Sequence, residues 1–91
     1  MTYLARVEIT LKPTVNDPQG LTIKGGLHLL GFNSVQEVRA GKYLELTLDA
    51  SAQEEADAQV RDMCEKLLAN PVIEQYRFTV EQVVVVEGSL S

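Results

Sequence analysis

Little in this sequence can do covalent chemistry. It has one cysteine, Cys64, one histidine, His28, and no tryptophan in 91 residues. A single thiol closes no internal disulfide and offers no thiolate cluster for zinc, which fits a reducing compartment; one imidazole argues against a metal centre in the same way. Long apolar runs are missing too. Nothing approaches the roughly 20 residues that a bilayer span needs, and the amino terminus lacks a basic region followed by an apolar stretch. The expectation is a cytoplasmic chain that meets no membrane. Basic residues are few, 8 Lys+Arg against 13 Asp+Glu, giving a formal net charge of -5 and a pI of about 4.7. Such a chain repels a phosphate backbone, so no nucleic-acid partner is expected.

What is present reads as an ordinary globular domain, 45% hydrophobic and 23% charged. At 10.0 kDa, surface scaling buries about 64% of what the unfolded chain exposes, enough for one modest core. Tyr3 to Lys12 alternates strictly, with Tyr3, Ala5, Val7, Ile9 and Leu11 on one face, which predicts a half-buried strand ended by Pro13. Asp17 before Pro18 marks a helix start, since Asp17 can accept from first-turn amides and Pro18 needs no partner there. Ile23, Leu27 and Leu30 recur at helical spacing, and Gly31 stands where a left-handed residue closes a helix. Gly25 and Gly26 each cost about 1 kcal/mol in a helix interior, so they signal close packing against a neighbour or local disorder.

Val35 to Arg39 and Tyr43 to Asp49 read as two strands joined near Gly41, a hairpin whose second strand points Leu44, Leu46 and Leu48 to one face. Ser51 and Glu54 form a capping box for a second helix running to about Leu68. Its apolar stripe is Ala56, Val60, Met63, Cys64, Leu67 and Leu68, and Asn70 with Pro71 stops it. Tyr76, Phe78 and Val80 alternate with polar residues in a last strand. The order strand-helix-strand-strand-helix-strand predicts an α+β split βαβ sandwich, a four-stranded, mainly antiparallel sheet with two helices on one face. The domain spans 1–82, and 83–91 is a tail in which Val83 to Val86 should pair with a strand edge. The other sheet face, bearing Leu4 and Tyr43, is left uncovered and should be an assembly surface, making the chain a homodimer or higher.

Candidate catalytic groups are scarce. His28 lies within the first helix with no nucleophile near it in sequence, and Cys64 falls on an apolar stripe. Glu54 and Glu55 diverge on a helix, and Gly25, Gly26 and Gly31 match neither a phosphate loop nor a dinucleotide fingerprint. Two loops stand out: Asp17-Pro18-Gln19-Gly20, and the turn that groups Arg39 and Lys42 about Gly41.

Together with Leu30-Gly31-Phe32, Val38-Arg39-Ala40-Gly41-Lys42 and the run Leu67 to Tyr76, they resemble, in order and separation, the motifs of the PurS family, over Tyr3 to about Val83. That family supplies the small subunit of phosphoribosylformylglycinamidine synthase (EC 6.3.5.3), a glutamine-dependent, ATP-driven carbon–nitrogen ligase of purine biosynthesis. The resemblance implies a non-catalytic chain with no cofactor of its own, ATP and magnesium belonging to the synthetase (PurL-type) subunit. It implies a dimer that bridges that subunit and a glutaminase (PurQ-type) subunit. Candidate contacts with those partners are Asp17, Gln19, Arg39, Lys42, Asn70, Glu74 and Tyr76. The alternative from another class is a small regulatory ligand-binding module of ACT type, which shares the element order.

Overall fold

A computed structural model describes residues 1–84. β1 (Thr2–Leu11) is followed by α1 (Pro18–Leu29), β2 (Gly41–Asp49), α2 (Gln53–Met63), a π-helical turn (Cys64–Leu68) and β3 (Glu74–Gln82). Among the described residues the sheet has three strands in the order β2-β1-β3, both pairings antiparallel. β1 is central because its alternation is the cleanest in the chain: Tyr3, Ala5, Val7 and Ile9 are all buried. The register sets Leu48, Leu46 and Leu44 opposite Tyr3, Ala5 and Val7 on one side, and Val80, Phe78 and Tyr76 opposite Ala5, Val7 and Ile9 on the other. Val60 and Cys64 pack onto this inner face from α2 and the π turn, and Ala56 joins Tyr3 and Ala50.

No fourth strand is formed among the described residues. Val35 to Arg39 joins no ladder, and the expected hairpin with β2 is open. The cause is local: Arg39 donates from Nη2 to the Lys12 and Val15 carbonyls at 3.0 and 2.9 Å, and the Ala40 amide donates to Asp17 at 2.7 Å. These bonds hold the segment against the β1–α1 loop, where it cannot turn back along β2. The layer of two helices is also corrected. Of the two α-helices only α2, with the π turn that continues it, packs on the sheet, and no α1 residue belongs to either core cluster. α1 projects from the body, so the radius of gyration is 17.5 Å where a compact chain of this length has about 12 Å.

Smaller departures have equally local causes. Ser51 bonds Glu55, which accepts from its amide and hydroxyl, and not Glu54, because α2 begins at Gln53 with Ala52 as its N-cap, one residue later than a Ser51 cap requires. The π turn, closed by Ala69 N to the Cys64 carbonyl at 3.0 Å, widens the helix and rotates its phase, so Leu68 reaches the core while Leu67 is 83% exposed. Gly31 takes φ 96° and closes α1 as expected, but Gly25 and Gly26 have nothing within 4 Å of where a Cβ would stand, so no close packing among the described residues accounts for them. The uncovered sheet face does carry Leu4 and Tyr43, yet they sit among charges: Arg6 pairs with Glu45 and Glu81, and Arg77 with Glu8. The face is therefore charged around these two residues and not continuously apolar. The Val83 amide extends β3 by donating to Thr2 O at 2.8 Å; Val85 and Val86 lie outside the described residues.

Candidate functional site

Three loops meet at the end of the sheet where β1 finishes. Asp17 is the organising residue: as N-cap of α1 its Oδ1 accepts from Gly20 N at 2.9 Å, and its Oδ2 accepts from Ala40 N. The Gly20 and Ala40 amides hold its carboxyl below the usual carboxylate range, with Arg39 adding a smaller contribution. Gly20 is required because a Cβ there would lie 2.1 Å from the Val38 carbonyl oxygen. The third loop is tied in by the Lys12 amide, which donates to Ile73 O at 2.8 Å.

The candidate residues divide by surroundings. Asp17, Gln19, Lys42 and Glu74 line one open hollow of about 270 Å³, together with Ala40 and Gly41. Gln19 and Lys42 are exposed there, and Lys42 makes no ion pair among the described residues. Arg39 lies on a neighbouring surface with Pro13, Glu37 and Gln75, its guanidinium already committed to two carbonyls. Asn70 and Glu74 bond each other, Asn70 N donating to the Glu74 carboxylate at 2.7 Å, and the Asn70 side chain accepts from Val72 N. Tyr76 is elsewhere, on the inner face of β3 stacked on Phe78 with ring centroids 6.3 Å apart. Its hydroxyl is pushed up by the Glu65 carboxylate beside it. Sequence reasoning missed the backbone half of this cluster, the Lys12 and Ile73 groups and the Ala40 amide; every residue has a main-chain donor or acceptor, so composition carries no sign of which ones are used.

The reactive groups are occupied structurally. His28 Nε2 is 2.8 Å from the Val35 carbonyl, joining α1 to the segment after it. Cys64 is fully buried and burial pushes its thiol up, the reverse of what a nucleophilic cysteine needs. Among the described residues no group of three or more His, Cys, Asp or Glu could hold a metal ion, and no helix is long and apolar enough to cross a membrane.

Comparison with known proteins returns a consistent result. The family model for PurS, phosphoribosylformylglycinamidine (FGAM) synthase, matches residues 4–82. The PurS subunit of Bacillus subtilis phosphoribosylformylglycinamidine synthase is 51% identical over 82 residues, covering 90% of this chain and 96% of that protein. The corresponding subunit of Methanocaldococcus jannaschii is 43% identical over 81 residues, 89% of this chain and 98% of that one. A crystal form of B. subtilis PurS superposes with a TM-score of 0.79 at 49% identity, covering 88% of this chain and 99% of that chain. A chain in the structure of PurLQS from Thermotoga maritima gives 0.82 at 31% identity, covering 89% and 99%. The ACT-type alternative finds no support in these comparisons. With a match running from the first strand to the last, and with relatives of this identity matched over nearly their whole length, the chain belongs to the PurS family.

Proposed function

We propose that this chain is the small, non-catalytic subunit of phosphoribosylformylglycinamidine synthase, bridging an ATP-dependent synthetase subunit and a glutaminase subunit in purine biosynthesis. The observation that carries the reading is the end-to-end match to PurS subunits, including a chain that occurs in PurLQS of T. maritima. The state of the reactive groups supports it. A glutaminase step needs an activated thiolate with a base beside it, whereas Cys64 is sealed in the core with a raised thiol and His28, in the last turn of α1, is bonded to the Val35 carbonyl. The chain's contribution is then positional. Ammonia is mostly protonated at neutral pH and lost by diffusion, so holding its source beside its point of use raises its effective concentration. ATP and magnesium serve the synthetase subunit, and the hollow bearing Gln19, Lys42 and Glu74 supplies exposed polar groups, on a rigid frame, for contact with a larger subunit.

The experiment is reconstitution. Glutamine-dependent formation of formylglycinamidine ribonucleotide is measured with synthetase and glutaminase subunits, with and without this chain. The expected result is turnover that requires the chain, with ammonia-driven turnover much less affected by its omission. Cys64→Ala should support turnover within a few-fold of the parent once folded. Equal glutamine-dependent rates without the chain would overturn the bridging role, and loss of turnover in a folded Cys64→Ala complex would overturn the non-catalytic one.

A further inference from the structure

The sheet edge beside α2 is open. Among the described residues β3 pairs only with β1, so its other side has no strand on it. Val83 N donates to Thr2 O and Lys12 N to Ile73 O, so the odd-numbered residues from 73 to 83 bond β1 and the even-numbered ones point their backbone groups away from it. The amides and carbonyls of Tyr76, Phe78 and Val80 therefore face outward. Of these groups only the Val80 carbonyl has a partner among the described residues, the Gln53 side-chain amide, which donates to it at 2.9 Å. Nine residues with no proline and no bulge make a long edge to leave uncovered.

α2 turns this edge into a groove. Gln53, Asp57 and Arg61 are spaced four apart and so form one row on the helix. That row stands over β3, where Gln53 reaches Val80 and the Arg61 guanidinium lies 5.5 Å from the centre of the Phe78 ring. Helix and strand run in opposite directions along an open groove of about 660 Å³, floored by half-buried Tyr76, Phe78 and Val80. Its charges are matched except at one place. Asp57 accepts from Gln53 at 3.1 Å, the Glu65 carboxylate lies beside the Tyr76 hydroxyl, and Arg77 pairs with Glu8. Arg61 is exposed and makes no ion pair among the described residues.

These features define the occupant. Outward amides and carbonyls at alternate residues call for an extended backbone, since a helix has already paired its own backbone groups. In a strand added antiparallel, the residue opposite Phe78 turns its side chain to the face that carries α2, beside Arg61. A carboxylate there meets an unpaired guanidinium and forms a charge-assisted pair. Tyr76 to Val80 spans about 14 Å, the length of about five guest residues. We propose that the α2–β3 groove receives an extended, acidic segment of one of the larger subunits, added antiparallel to β3 with a carboxylate side chain opposite Phe78 and paired with Arg61. This contact uses residues other than those of the hollow bearing Lys42, and it rests on the subunit reading, which supplies the partner. Strand addition suits so small a chain, because main-chain bonds give affinity and the side-chain pockets give specificity.

Hydrogen–deuterium exchange read residue by residue tests this on the full chain, alone and with the purified synthetase and glutaminase subunits. The Tyr76, Phe78 and Val80 amides should exchange fast in the free chain and about tenfold or more slowly in the complex, whereas the Arg77 and Thr79 amides, bonded to β1, are protected in both. Arg61→Glu should raise the dissociation constant of the complex about tenfold or more. It should melt within about 3 °C of the parent, because Arg61 is exposed. A complex that forms by sedimentation while the three amides stay fast would overturn the groove and leave the subunit reading standing. No complex at all would overturn both. Protection of these amides in the chain alone as its concentration rises would mean that a second copy occupies the edge, and that too overturns the proposal, as does parental affinity in Arg61→Glu.

Discussion

Arg39 and Lys42 flank the same glycine, and the structure separates them sharply enough for two substitutions to check. The Arg39 guanidinium donates to the Lys12 and Val15 carbonyls, whereas Lys42 is exposed and without an ion pair among the described residues. A hydrogen bond involving a charged group contributes about 1.5–3 kcal/mol. Both Arg39 bonds are partly solvated and the freed carbonyls can turn to water, so the pair is worth about 2–3 kcal/mol in total. For a domain of this size that lowers the melting temperature by roughly 10–20 °C. Arg39→Met, which keeps the stem and removes the donors, should show this fall by circular dichroism at matched chain concentration. Lys42→Glu should melt within about 3 °C of the parent, as surface substitutions do, but bind the synthetase or glutaminase subunit about tenfold or more weakly. An Arg39→Met protein melting within about 3 °C of the parent would refute the pinning argument. Unchanged affinity of Lys42→Glu for both larger subunits would remove Lys42 from the contact surface.

Acid should weaken the fold through carboxylates held low by bonds made only in the folded chain. The Gly20 and Ala40 amides lower Asp17, and the Ser51 hydroxyl and amide lower Glu55. A depressed carboxyl contributes stability that is complete above its unfolded pKa and disappears as pH falls through the lower native value. Urea midpoints should therefore be flat from neutrality down to about pH 5 and fall below about pH 4; Asp17→Asn should flatten that fall, and an unchanged slope would deny Asp17 the role. Gly25 is an exposed helix position with open space where a Cβ would stand, and it lies on the opposite side of α1 from Ile23 and Leu30. Gly25→Ala should raise stability by up to about 1 kcal/mol in chemical denaturation, and a loss of stability would show that something does approach that side.

The amino-acid order alone determined every element whose partner is local or whose pattern is strict. Alternation from Tyr3 to Ile9 fixed which face of β1 is buried, because a one-residue slip would expose that whole apolar set; its central place between β2 and β3 is a tertiary result. Asp17 with Pro18, and Gly31, fixed both ends of α1 through groups within a few residues of them. The segments that carry the family resemblance include such local features, the Asp17 cap of α1 and the Gly31 that closes it. The candidate site was half legible, since side chains such as Asp17, Gln19 and Lys42 could be picked out while the Ala40, Lys12 and Ile73 backbone groups that join them could not. What tertiary structure decided was where elements with suitable patterns go. Val35 to Arg39 has a strand's composition, but the Arg39 and Ala40 bonds to the β1–α1 loop leave it without a strand partner in its own chain. Tyr43 and Leu4 look apolar enough for an interface, and only the register sets Arg6, Glu8, Glu45, Arg77 and Glu81 around them. The phase slip at Leu67 has the same origin: one wider turn after Cys64, set by how the helix end meets the sheet, re-aims every side chain that follows it.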